Sequence, residues 1–138
     1  MIGLNSENNN YLLDTYAWIE YFIGSKNGEI VEKLIKTENV STSIISIAEL
    51  SDKYHKDGLL NEWNKRFQFI VNKSKILSLS LELAKNCGLR KWDLRKNDKS
   101  IGLVDAIIYE TAIQYNLKIV TGDLHFENLK NTLFLKEE

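Results

Sequence analysis

Four acidic residues stand at positions where α/β proteins commonly bind ligands: Asp14, Glu49, Asp105 and Asp123. Apolar runs at residues 11–13 and 117–120 precede Asp14 and Asp123, so both acids are expected at strand ends. Glu49 and Asp105 lie near the starts of two predicted helices. Carboxylates gathered at one sheet edge repel each other, at roughly 4 kcal/mol for a partly buried pair about 4 Å apart. The pattern therefore predicts a divalent cation held by oxygen ligands.

The elements that must position these acids follow from apolar runs, helical periodicity and glycines. Strands are predicted at residues 11–15, 39–43, 75–80, 117–121 and 132–135. Helices are predicted at residues 16–23, 28–37, 46–57, 59–72, 81–95 and 103–116. This alternation indicates an α/β fold with a parallel sheet. We expect a loosely held leader at residues 1–10 and a single domain at 11–138.

Each acid also has a purely structural interpretation. Asp14 could cap the following helix, and Ser46 with Glu49 fits the capping-box pattern. Asp105 suits the first turn of a helix, where the helix dipole favours a negative charge. Asp123 follows Gly122 and could be an ordinary turn residue. Because the four acids are expected at one edge of the sheet, a single metal site explains them together more simply.

Composition excludes several other classes of protein. The one cysteine, Cys87, allows no intrachain disulfide, which fits a reducing cytoplasm. The polar start of the chain does not resemble a secretory signal, and no apolar stretch approaches the roughly 18 residues that span a membrane. Cysteine and histidine are too few for a typical zinc site. We expect His55 and His125 to be polar surface or loop residues rather than ligands.

Charge is distributed unevenly along the chain. The net charge is −1 overall, but residues 51–100 carry 12 Lys and Arg against 6 acids. A cation site next to a basic region would suit a polyanionic substrate. The alternative is that these basic residues belong to solvated helix faces. Five of them are candidate phosphate contacts: Arg90, Lys91, Arg95, Lys96 and Lys99.

The chain resembles the PIN domain family, specifically its small VapC-like toxin type, from about residue 11 to residue 126. Four segments carry the resemblance, namely Leu13-Asp14-Thr15, Ser43 through Leu50, Gly102 through Ile108, and Val120 through Phe126. Their order is characteristic, and the last two acids are only 18 residues apart. Tyr16 departs from the pattern, since many relatives have a smaller residue there, and it could narrow the site.

The resemblance implies a three-layer α/β/α sandwich around a central parallel sheet. It also implies a Mg²⁺- or Mn²⁺-dependent endoribonuclease that leaves a 5′ phosphate and a 3′ hydroxyl. The matching acids are the four named above, with Asp14 and Asp105 expected to be the most direct ligands, and Thr15 and Thr121 match hydroxyl positions that assist the site. Members of the family often dimerise and are silenced by a cognate antitoxin that blocks the site.

Other functions remain open at this point. A housekeeping RNA-processing nuclease would use the same chemistry. A phosphatase of the haloacid-dehalogenase kind needs a second acid two residues after the first, where this chain has Tyr16. A phosphoacceptor receiver domain needs a set of acids and a lysine that the sequence does not offer. A non-enzymatic binding module would be expected to have lost one or more acids, and all four are present.

Overall fold

The structure, a computed structural model, describes residues 10–137. Within this range the strands are β1 Asn10–Leu13, β2 Asn39–Ser43, β3 Lys75–Leu77, β4 Lys118–Thr121 and β5 Thr132–Phe134. The α-helices are α1 Thr15–Ile23, α2 Lys26–Thr37, α3 Ile44–Lys56, α4 Leu60–Lys73, α5 Leu81–Leu94 and α6 Leu103–Tyr115. A 3₁₀ turn, Leu124–Phe126, follows β4.

The five strands form one parallel sheet in the order β3-β2-β1-β4-β5. β1 lies at its centre, where Leu12 pairs with Ser41 of β2 on one side and Ile119 of β4 on the other. Because all strands run in the same direction, their carboxyl ends meet at one edge. Asp14 directly follows β1 and Asp123 lies two residues beyond β4, so the two acids are brought to that edge together.

Alternate residues of the strands face two separate cores. Leu12 and Ile119 pack with α5 and α6 on one face, whereas Leu13 and Val120 pack with helices α1 to α4 on the other. All four side chains are fully buried. The predicted three-layer α/β/α sandwich with a central parallel sheet is therefore confirmed.

The break between α1 and α2 differs from the prediction. The second helix begins at Lys26 rather than at residue 28, because the Ser25 hydroxyl accepts a hydrogen bond from the Gly28 N–H at 3.0 Å and caps it. Gly28 itself lies inside α2, where a Cβ would stand 2.1 Å from the Glu20 carbonyl oxygen. The glycine thus permits the two helices to approach closely.

Capping side chains explain three further differences from the predicted boundaries, and several other ends differ by one residue. Thr15 belongs to α1 and not to β1, since Asp14 caps that helix. α3 begins at Ile44 instead of residue 46, because Ser43, the last residue of β2, accepts a hydrogen bond from the Ile45 N–H at 3.0 Å. β3 ends at Leu77 rather than residue 80, where Ser80 caps α5.

The predicted leader at residues 1–10 lies outside the described residues except for Asn10, which begins β1. No helix of the described chain has the length and apolar character needed to cross a membrane.

Candidate active site

The four predicted acids line one cavity of about 330 Å³ at the carboxyl edge of the sheet. Its remaining lining residues are Thr15, Tyr16, Ile19, Val104, Ile108 and Phe126. Asp14 and Asp123 follow the neighbouring strands β1 and β4, and Glu49 lies in α3, which begins directly after β2. Asp105 reaches it from the first turn of α6.

Asp14 is the most buried acid of the cavity, with 7% of its surface exposed. Its Oδ1 accepts a hydrogen bond from the Ala17 N–H at 3.0 Å, so the carboxylate also caps α1 as the structural interpretation expected. Burial raises the pKa of the Asp14 carboxyl to about 7, although hydrogen bonds from Thr121 and Ala17 oppose the rise. The charges of Asp123 and Glu49 raise this pKa further, so a cation would relieve both the burial and the repulsion.

Thr121 connects two of the acids. Its Oγ1 accepts a hydrogen bond from the Asp123 N–H at 2.9 Å, and the hydroxyl donates to the Asp14 carboxylate. The side chain is fully buried at the end of β4 and therefore holds a fixed position. Thr121 thus positions both carboxylates relative to each other.

Glu49 is oriented by a hydroxyl rather than by a helix cap. The Thr15 Oγ1 donates to Glu49 Oε1 at 2.6 Å, across from α1 to α3. The capping-box interpretation with Ser46 is wrong, because α3 begins at Ile44 and Glu49 is its sixth residue. Its carboxylate is therefore available to the cavity.

Asp105 has both a structural and a site-forming contact. Its Oδ2 accepts a hydrogen bond from the Gly102 N–H at 3.0 Å, which closes the start of α6. The same oxygen lies 2.8 Å from Nδ1 of His125. The first-turn position foreseen for Asp105 is thus compatible with a place in the site.

His125 is a possible ligand that the sequence analysis did not include. Among residues 10–137, one group of three possible ligand atoms lies within 4.8 Å of one another, from Asp105, Asp123 and His125. Asp14 and Glu49 line the same cavity but are not part of this compact group, so direct coordination by Asp14 stays a prediction. The signal available in the sequence was the spacing, with His125 two residues after a strand-end acid and next to the apolar Phe126. By contrast, His55 is exposed on α3, as predicted.

A neighbouring ring, and not a positive φ angle, favours glycine at position 122. A Cβ at this position would stand 2.3 Å from Cε1 of Tyr16. The Tyr16 ring therefore packs directly on the backbone between β4 and Asp123. It also lines the acid cavity, as expected for a residue that narrows the site.

The five basic residues predicted to contact phosphate do not line the acid cavity. Arg90 is held by Glu110, with Nε 2.7 Å from Oε1. Arg95 Nη1 donates to the Ile101 carbonyl oxygen at 3.1 Å. Lys96 lies 3.5 Å from Asp93 and lines a neighbouring cavity of about 430 Å³ that also includes His125. Their contact with a substrate stays a prediction.

A model of the PIN domain matches residues 11–131, which is most of the chain. The chain belongs to the PIN domain family. No curated protein sequence matches significantly. PIN domains are nucleases, so this chain belongs to a family of nucleases.

Several solved structures share the PIN fold with this chain. VapBC2 from Rickettsia felis, bound to promoter DNA, has a TM-score of 0.74 and 21% identity and covers 91% of this chain and 97% of its own. VapBC from Salmonella typhimurium, bound to DNA, has a TM-score of 0.73 and 18% identity, covering 93% and 98%. VapC20 from Mycobacterium tuberculosis, described as a sarcin-ricin loop cleaving toxin, has a TM-score of 0.64 and 12% identity, covering 85% and 91%.

Proposed function

We propose that this chain is a toxin-type endoribonuclease that hydrolyses RNA phosphodiester bonds at the acid cavity with Mg²⁺ or Mn²⁺. The observation that carries the proposal is the buried Asp14 carboxyl beside Asp123 and Glu49, whose pKa is raised to about 7. Ionising such a group in the protein interior costs free energy unless a positive charge lies nearby. A divalent ion would provide that charge.

The residues of the cavity divide into ligands and positioning groups. Asp14, Asp105 and Asp123 would hold the ion, and Glu49 would bind it or orient a water. Thr15 positions Glu49 by its 2.6 Å hydrogen bond, and Thr121 positions Asp14 and Asp123. When bound, the ion would polarise the phosphate and favour deprotonation of the attacking water.

RNA as the substrate is supported by family and by charge. VapC20, which shares the fold, is described as cleaving the sarcin-ricin loop. Of the predicted phosphate contacts, Lys96 is best supported, because it lines the cavity next to His125. Arg90 is the least supported, since its pairing with Glu110 already engages its charge. Lys91, Arg95 and Lys99 complete the proposed set.

A partner protein belongs to the same proposal. Several structures with this fold are described as toxin–antitoxin complexes or members of such systems. We therefore propose a cognate antitoxin that blocks the acid cavity, a homodimer as the assembled toxin, and a cytoplasmic location.

Expression of the chain should arrest growth, and Asp14→Asn should relieve that arrest, whereas a housekeeping nuclease should cause no arrest.

The direct test is incubation of the purified chain with total RNA and Mn²⁺ or Mg²⁺, with and without chelator, followed by mapping of the cleaved ends. We expect 5′ phosphates and 3′ hydroxyls, and no cleavage in chelator. Asp105→Asn and Asp14→Asn should each reduce cleavage by at least about 100-fold while the protein stays folded, since even supporting residues of metal sites cost about 10–100-fold. Asp52→Asn on the exposed side of α3 is the matched control. Undiminished cleavage in either site variant would refute the assignment.

A further inference from the structure

We propose that His125 supplies an imidazole nitrogen ligand to the ion at Asp105 and Asp123, and that this nitrogen favours transition-metal ions such as Mn²⁺ over Mg²⁺. The inference rests on the proposed function, because it concerns the metal held at the same cavity. It adds a ligand of different chemistry to a set of carboxylates.

The chain holds His125 in place through the 3₁₀ turn. The His125 N–H donates to Asp123 Oδ1 at 3.0 Å, and the Phe126 N–H donates to the Asp123 carbonyl oxygen at 3.0 Å. Phe126 is 2% exposed and anchors the turn in the core formed with α6. The backbone that carries the imidazole is thus fixed at the same edge of the sheet as the acids.

The imidazole nitrogen faces the two carboxylates. His125 Nδ1 lies 2.8 Å from Asp105 Oδ2 and 3.5 Å from Asp123 Oδ1. Ligands bound about 2.1 Å from one octahedral ion are separated by roughly 3 Å when they are neighbours. The observed separations are therefore those of atoms that could share an ion with small adjustments.

The same nitrogen has no well-aligned hydrogen-bond partner. His125 Nδ1 is buried and its contact with Asp105 lacks hydrogen-bond geometry, although the two atoms are close. Asp105 Oδ2 already accepts from the Gly102 N–H on another side. A cation near these atoms would give the buried nitrogen the partner that buried polar atoms normally have.

The expected consequence is a change in metal preference. Mg²⁺ prefers oxygen ligands and retains several waters. Imidazole nitrogen suits later transition-metal ions such as Fe²⁺ and Ni²⁺ best, and Mn²⁺ binds most weakly of the first-row series. Mn²⁺ nevertheless accepts a nitrogen ligand more readily than Mg²⁺ does. A site with His125 among its ligands should therefore bind Mn²⁺ more tightly relative to Mg²⁺ than the same site without it.

Pulsed electron paramagnetic resonance of the full chain loaded with Mn²⁺ tests the assignment. A directly bound imidazole gives a nitrogen coupling to the Mn²⁺ electron spin, and labelling histidine with ¹⁵N should change that coupling in the wild type without any substitution. His125→Gln should abolish it. His55→Gln should retain it, because the His55 Nδ1 lies 2.8 Å from the Ser51 carbonyl oxygen on exposed α3.

Competition between the ions provides the second measurement. We expect the ratio of Mn²⁺ to Mg²⁺ affinity to fall by about tenfold in His125→Gln and to stay unchanged in His55→Gln. Bound Mn²⁺ without histidine coupling in the labelled wild type would overturn the inference and leave a metal-dependent nuclease intact. A chain that binds no Mn²⁺ would overturn the inference and the proposed metal dependence together.

Discussion

Asp14 and Glu110 are both buried carboxylic acids, each with 7% of its surface exposed, but their surroundings differ. Glu110 on α6 lies 2.7 Å from Arg90 of α5, whose guanidinium also stands 5.4 Å from the centre of the Tyr109 ring. Among the ion pairs formed by residues 10–137, none includes Asp14. The fold thus supplies a positive charge to Glu110, where the ion pair joins α5 to α6. Asp14, at the open edge of the sheet, depends on a positive charge that is not part of the described chain.

A change of pH should reveal most strongly that Asp14 lacks the counter-charge that Glu110 has. A carboxyl whose pKa is about 7 when folded and 3.8 when unfolded binds more protons in the folded state, so its contribution to stability is lost as pH rises from about 4 to about 7. In chelator, the free energy of unfolding of the wild type should fall over that range relative to Asp14→Asn, by up to about 4 kcal/mol. Urea denaturation at pH 4.5 and 7.5 measures the difference. Equal pH dependence in both proteins would contradict the account.

Removing the counter-charge of Glu110 should be nearly as costly. Arg90→Met leaves the buried Glu110 carboxylate unpaired, and we expect the free energy of unfolding to fall by about 3 kcal/mol. This value is at the low end of the range for breaking a buried ion pair, because Arg90 is partly exposed. Urea denaturation at pH 7.5 measures this loss. Lys36→Met is the control, since its pair with Glu32 is exposed and worth less than about 1 kcal/mol. A similar small change in both variants would show that the Glu110 charge needs no partner.

A divalent ion should do for Asp14 what Arg90 does for Glu110. Mn²⁺ at 100 times its dissociation constant should raise the free energy of unfolding by about 2.7 kcal/mol at pH 7.5. At that same Mn²⁺ concentration, the stabilisation should be smaller at pH 5, where the Asp14 carboxyl is protonated, and smaller in Asp105→Asn, which lacks a ligand charge. Thermal melting with and without the ion measures each case. Stabilisation that is independent of pH and of Asp105 would place the ion elsewhere.

Much of the fold was predictable because apolar runs and caps are local signals. β2 was predicted over residues 39–43 and found there, and the sandwich architecture followed from the alternation of elements. The start of α3 was not predictable with the same certainty, because Ser43 and Ser46 both precede helical residues. Only the structure shows that Ser43 caps the helix and that the Ser46 hydroxyl is buried without a hydrogen-bond partner.

The candidate site was predictable to the extent that it depends on strand ends. Asp14 and Asp123 were located by the apolar runs before them, and the structure brings both to one cavity. His125 could not be located in this way, because its importance depends on the approach of the α6 N-terminus to the end of β4. Those segments are separated in sequence, and no local pattern reports the 2.8 Å distance from His125 to Asp105. The same limit applies to the basic residues, because no local pattern reports that Arg90 pairs with Glu110 of α6.

The packing of Tyr16 on Gly122 makes these two positions dependent on each other. A Cβ at residue 122 would stand only 2.3 Å from the ring, so a larger residue there requires the Tyr16 ring to move away or a smaller residue at position 16. A change at Tyr16 alone meets no such clash and widens the mouth of the cavity. Libraries that vary the two positions together should therefore recover paired solutions that single substitutions miss.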